Sequence, residues 1–116
     1  MATPLKIIQA RFYLSLSGSN PVRDWLMTLA PEDRLVIGTD IAKVEYGWPI
    51  GMPTCRPLGT GLFEVRSTLK SNRIARVLFA TTKGEMILLH GFIKKTQKTP
   101  EADLKLARIR QKEIEQ

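Results

Sequence analysis

One cysteine and one histidine are all that this 116-residue chain has of the residues that staple small domains or bind zinc. Cys55 has no second thiol to pair with, and no Cys/His zinc constellation can be assembled from two residues, so metal chemistry is not expected. Aromatic residues are few, at 7%. Acids are scarce as well, 11 Asp/Glu against 18 Lys/Arg, for a net charge of +7. No apolar run approaches the ~20 residues that span a bilayer, which argues against a membrane protein. Met1-Ala2-Thr3-Pro4-Leu5-Lys6 lacks a basic region followed by a sustained apolar core. No secretory leader is expected there, and a cytoplasmic location is.

What is present suits one soluble domain, 1–116, with 43% apolar and 25% charged residues and enough length to bury a core without staples. The excess charge is not spread evenly. Residues 61–98 hold eight Lys/Arg against two acids, Glu64 and Glu85, and so account for nearly all of the imbalance. Cations concentrated on one candidate sheet form a local field that attracts polyanions and holds their phosphates, so nucleic acid is the first partner to consider.

Leu5 to Leu14 alternates as a half-buried strand, with Ile8, Ala10, Phe12 and Leu14 on one side and Gln9, Arg11 and Tyr13 on the other. Asn20-Pro21 is a helix start, the Asn capping free N–H groups and the Pro filling a position that needs no donor. Val22, Trp25, Leu26 and Leu29 make its apolar stripe. Ala30-Pro31 interrupts it, and Glu32-Asp33 open a second helix whose stripe, Ile37, Ile41 and Val44, runs to Gly47. Asp24, Glu32, Asp33 and Asp103 fall in first turns, where a carboxylate suits the helix dipole. Trp48 to Gly61 holds three prolines and three glycines and reads as a loop, with Cys55 and Arg56 as its chemical handles. Three strands follow, Leu62–Thr68, Ile74–Ala80 and Met86–Ile93, joined by short turns as an antiparallel meander. Thr99-Pro100-Glu101 starts a last helix through Ala102, Leu106 and Ile109. The expected class is α+β in the order β-α-α-β-β-β-α, with helices on one face of the sheet and the other face open.

On the expected open face, alternation places Arg66, Arg76, His90 and Lys94, with Leu88 and Phe92 on the side of His90, while Phe63, Val65, Val77 and Phe79 point to the core. Cleaving RNA without a metal needs fixed cations beside the phosphate and a group that moves protons. Arg66 and Arg76 suit the first task, because a guanidinium stays protonated and bonds two phosphate oxygens. Lys94 or Lys95 suits the second, since crowded cations lower a lysine pKa. His90 has the natural pKa for it but sits in an apolar run, where a histidine is more often structural. Each residue also has a plainer reading. Arg66 can be a cross-strand partner of Glu64 or Glu85, and Lys94, Lys95 and Lys98 a solvated run. Trp25, Trp48, Phe12 and Phe63 read as core, whereas Phe79 and Phe92, beside a basic face, are candidates to stack on an unpaired base. Arg56, Arg73 and Lys98 complete the candidate substrate contacts. Cys55, with no base near it in sequence, reads as an incidental thiol.

The segments P-L-G-T-G-L-F-E-V-R, R-I-A-R-V-L-F and I-L-L-H-G-F-I-K-K-T-Q-K-T-P, with G-S-N-P-V-R-D-W-L and the helix ending at Tyr46-Gly47, resemble the HigB-type, phage-derived branch of the RelE/ParE toxin superfamily. The resemblance covers nearly the whole chain. It implies a RelE-like fold, a small curved antiparallel sheet with two N-terminal helices packed on it and a C-terminal helix. It implies the toxin half of a type II toxin–antitoxin pair, a ribosome-dependent mRNA endoribonuclease without a cofactor. Implied partners are the ribosome with its messenger RNA, and a small DNA-binding antitoxin whose acidic or helical segment neutralises the toxin and alone contacts operator DNA. By resemblance, Arg66 and Arg76 stabilise phosphate and Lys94-Lys95 transfer protons. The chain departs from better-described RelE-like toxins in having no tyrosine or histidine after the last strand, where some relatives place an acid/base residue. ParE relatives share the fold but act on gyrase, so a gyrase inhibitor, or an RNA-binding module without toxicity, stands as the alternative.

Overall fold

Asn20 accepts a hydrogen bond from the Arg23 N–H and Pro21 occupies the first turn, so α1 (Pro21–Met27) starts where capping chemistry places it. The computed structural model describes residues 5–94 and 98–115. Its remaining elements are β1 (Gln9–Phe12), α2 (Pro31–Gly47), β2 (Cys55–Gly59), β3 (Leu62–Thr68), β4 (Ile74–Thr82), β5 (Glu85–Lys94) and α3 (Glu101–Ile114). The class is α+β. Among these residues no helix is long and apolar enough to cross a membrane.

The five strands form one sheet in the order β1-β5-β4-β3-β2. The β3-β4-β5 meander is antiparallel as its short turns require, while β1 returns beside β5 in parallel, making the sheet mixed. β2 replaces part of the expected loop. Pro57 and Gly59 disguise it in the sequence, and the structure tolerates both because β2 is an edge strand with a bulge between them.

On one face, α1 and α2 bury Val22, Ile37 and Val44 against Val65, Val77, Phe79, Met86 and Leu88. Trp25 of α1 lies so close over β5 that a Cβ on Gly91 would sit 2.4 Å from its ring, and only glycine fits there. The opposite face is not left open as the sequence suggested. α3 crosses it and closes a second core of Tyr13, Leu62, Leu78, Ala80, Ile87 and Leu89 around Ala107. The inward side of α3 is Leu104, Ala107 and Gln111, whereas Ala102 is exposed and Ile109 is half exposed. Polar anchors set this orientation. Arg108 donates to the Leu58 carbonyl, Gln111 to Thr60 and Arg110 to Leu89, so the helix is rotated toward unpaired backbone acceptors rather than along its longest apolar stripe.

Candidate functional site

α3 covers only part of its face, and the sheet register shows what lies beyond it. Cross-strand partners share a side of the sheet, so two rows can be followed from strand to strand. Arg56 pairs with Glu64, Glu64 with Leu78 and Leu78 with His90. In the next row Arg66 pairs with Arg76 and Arg76 with Phe92, and beyond it Thr68, Ile74 and Lys94 line up. Arg56, Arg66, Arg76, His90 and Lys94 therefore share one half-face, drawn from four strands.

A bulge in β5 completes the set. Leu78 pairs with His90 but Phe79 pairs with Leu88, which leaves Leu89 as the extra residue. Leu88 consequently faces the helical core while Leu89 and His90 both turn toward α3, which corrects the expectation that Leu88 and His90 share a side.

Glu64 sits at the centre of the cations and is fully buried. Its Oε1 lies 3.7 Å from Arg66 Nε and 3.9 Å from Arg76 Nε, and its Oε2 accepts the Thr99 hydroxyl at 2.6 Å. Glu64 thus holds the two guanidiniums side by side, where like charges would otherwise push them apart. Arg76 is completely buried, and burial pulls its pKa down; Arg66 and Arg56 act in the same direction and Glu64 opposes them. A guanidinium so placed is still a cation at neutral pH. Arg66 keeps 13% of its side chain exposed, Arg56 is half-buried and Lys94 is exposed. A phosphate arriving at this surface meets Arg66, Arg56 and Lys94 directly, and Arg76 strengthens the field from beneath.

His90 is half-buried at the margin of the cluster, with Nε2 2.7 Å from Asp103 Oδ1 and its ring stacked on Phe92 at 5.6 Å. A carboxylate on one ring nitrogen fixes the orientation of an imidazole, which is the usual arrangement around a proton-transferring histidine. Asp103 does more here than complement a helix dipole.

The other sequence candidates separate by position. Phe79 lies on the opposite face with no exposure, stacked on Phe63 at 5.5 Å and edge-on to Trp48 at 5.7 Å, so it is core and cannot meet a base. Phe92 is on the cationic side but only 7% exposed. Arg73 reaches away from the cluster. Its two terminal nitrogens donate to the Asp33 carboxylate at 3.1 and 3.3 Å, tying the β3–β4 turn to the start of α2, a structural task rather than a substrate contact. Lys98 is exposed just before α3, and Lys95 lies outside the described residues. Cys55 is buried beside Val65 across the strand pair, and burial, aided by the Glu64 charge, pushes its thiol up to about 11, which removes it as a nucleophile at neutral pH. Sequence reading took Glu64 only as an ion-pair partner and passed over Thr99. The signal was there in E-V-R: a carboxylate two residues from an arginine on a strand shares its face.

Residues 24–112 match the family described as Phage derived protein Gp49-like (DUF891), and the chain belongs to that family. The match takes in α2, every strand from β2 to β5 and nearly all of α3, hence every residue of the cluster. No curated protein shows significant similarity to the chain.

Proposed function

We propose that this member of the phage-derived Gp49-like family is the toxin of a type II toxin–antitoxin pair, a ribosome-dependent endoribonuclease that cuts messenger RNA and stops translation in the cytoplasm. The observation that carries the reading is the convergence of Arg56, Arg66, Arg76 and Lys94 on one half-face, with the His90–Asp103 pair at its edge. Cleavage by the ribose 2′-OH forms a bond from O2′ to phosphorus and breaks the bond to O5′. One proton leaves O2′, one arrives at O5′, and the phosphorane between carries extra negative charge. Arg66 and Arg76, held in register by Glu64, supply fixed charge for that intermediate. Lys94, Lys95 and His90 are the proton carriers, and His90 has the geometric support of Asp103. An antitoxin segment rich in acids fits the same surface and would block phosphate access.

Induction in a bacterium tests this reading. Translation should halt and new 5′ ends should appear inside translated messages, while purified protein with messenger RNA alone should cut poorly without ribosomes. Arrest of replication with intact messages, together with blocked supercoiling by purified protein, would replace it with a gyrase-directed activity on the same fold.

A further inference from the structure

Beside Arg66 a second feature opens that the phosphate chemistry does not use. β2 stops pairing with β3 at Cys55 and Val65, and the Arg66 N–H then bonds the Thr54 carbonyl at 2.8 Å. Past that point the edge of β3 faces α2 across a cleft of about 490 Å³, within the ~300–1,000 Å³ usual for small-ligand sites. Val36, Asp40 and Lys43 of α2 line one wall, and Met52, Thr54 and Arg66 the other. The cleft pairs two properties. Met52 is 57% exposed and Val36 37%, which gives it apolar sides without cover. On the α2 wall Asp40 and Lys43 lie one turn apart with Lys43 Nζ 3.4 Å from Asp40 Oδ1, so an acceptor and a donor stand next to each other.

We propose that this cleft receives the unpaired base of one nucleotide of the RNA whose phosphate lies at Arg66, and that it favours guanine; the inference rests on the RNA-cleaving reading above. Apolar side chains accept the faces of a flat ring, and single-stranded RNA is read through such splayed bases and their Watson–Crick edges. Guanine presents O6 as acceptor next to N1–H and N2–H as adjacent donors. It therefore satisfies the Lys43 ammonium and both oxygens of the Asp40 carboxylate at once. Adenine, cytosine and uracil each bring a single donor position to that carboxylate. Arg66 joins the two sites, since it belongs to the cationic rows and to the cleft wall.

The test is a titration of the four nucleoside 5′-monophosphates, followed through backbone amide NMR signals of the intact protein. GMP should move the signals of Asp40, Lys43, Met52 and Thr54 and bind about tenfold more tightly than UMP, the worth of one further hydrogen bond to a charged group. Asp40→Asn should abolish that preference, and Met52→Ala should weaken all four nucleotides alike. UMP binding as tightly as GMP overturns the proposal, as does an unchanged preference in Asp40→Asn. A single-stranded RNA hexamer separates the two levels. Shifts at Arg56, His90 and Lys94 with none in the cleft overturn the base site and leave the RNA-cleaving reading standing, whereas no shift anywhere overturns both.

Discussion

Both faces of the sheet are covered by helices, yet they are built on different terms. Under α1 and α2 the contents are apolar but for Ser67, and Phe63, Phe79 and Trp48 interlock with ring centroids 4.9 to 5.7 Å apart. Under α3 the same strands present an apolar half, Leu62, Leu78, Ala80 and Ile87, that gives way to Arg56, Glu64, Arg66 and Arg76 along the strands. One face stabilises the fold chiefly through apolar burial. The other buries a charge cluster whose members must satisfy one another, and an arrangement that costly points to use rather than stability.

Substitutions that exchange the character of the two faces sharpen this contrast. Phe79→Ala on the helical face should cost about 4 kcal/mol in denaturant unfolding, through lost transfer energy and a cavity. Glu64→Gln on the other face should cost about 3 kcal/mol, because Arg76 is left buried without its countercharge. If Glu64→Gln instead proves neutral, the cluster is not held by that carboxylate. Gly91→Ala should cost about 2 kcal/mol by overpacking against Trp25, with the loss recovered in part by shrinking Trp25 to Leu.

A smaller effect comes from pH. The Tyr13 hydroxyl, hydrogen-bonded to the Glu113 carboxylate and buried, and the buried Cys55 thiol both have pKa values raised above their ordinary 10.0 and 9.0. Above pH 9 the unfolded chain gives up these protons first, so stability present below pH 9 should decline as pH rises toward 11. A melting temperature flat across that interval would contradict the Tyr13–Glu113 bond and the burial of Cys55. Cys55 should also resist alkylation at neutral pH until the protein unfolds.

Much of this contrast was legible in the sequence. Alternation in Leu62–Thr68 and Ile74–Ala80 placed Phe63, Val65, Val77 and Phe79 on one side and Arg66 and Arg76 on the other, because period two is robust wherever one face is apolar. It failed at Leu88 and His90, where a bulge shifts the period and no residue type announces it. It also failed at β2, since Pro57 and Gly59 are penalised locally and tolerated only by an edge. The docking of α3 was hidden because its anchors are an arginine pair and a glutamine reaching backbone carbonyls, a tertiary match invisible to hydrophobic period. For the same reason Phe79 looked available for stacking, and Arg73 for phosphate, until α1, α2 and Asp33 were in place.

The central claim is that the cationic half-face is the working surface, and matched stability and toxicity of Arg66→Ala and Lys94→Ala test it most directly. Lys94 is exposed and fills no core, so Lys94→Ala should lose no more than about 1 kcal/mol of stability, whereas Arg66→Ala takes one of two cations from the buried Glu64 and should cost about 2 kcal/mol while leaving the domain folded. Each should nonetheless relieve growth arrest and leave translated messages uncut when induced. If both variants stay folded and remain fully toxic, the half-face is not where the chemistry occurs.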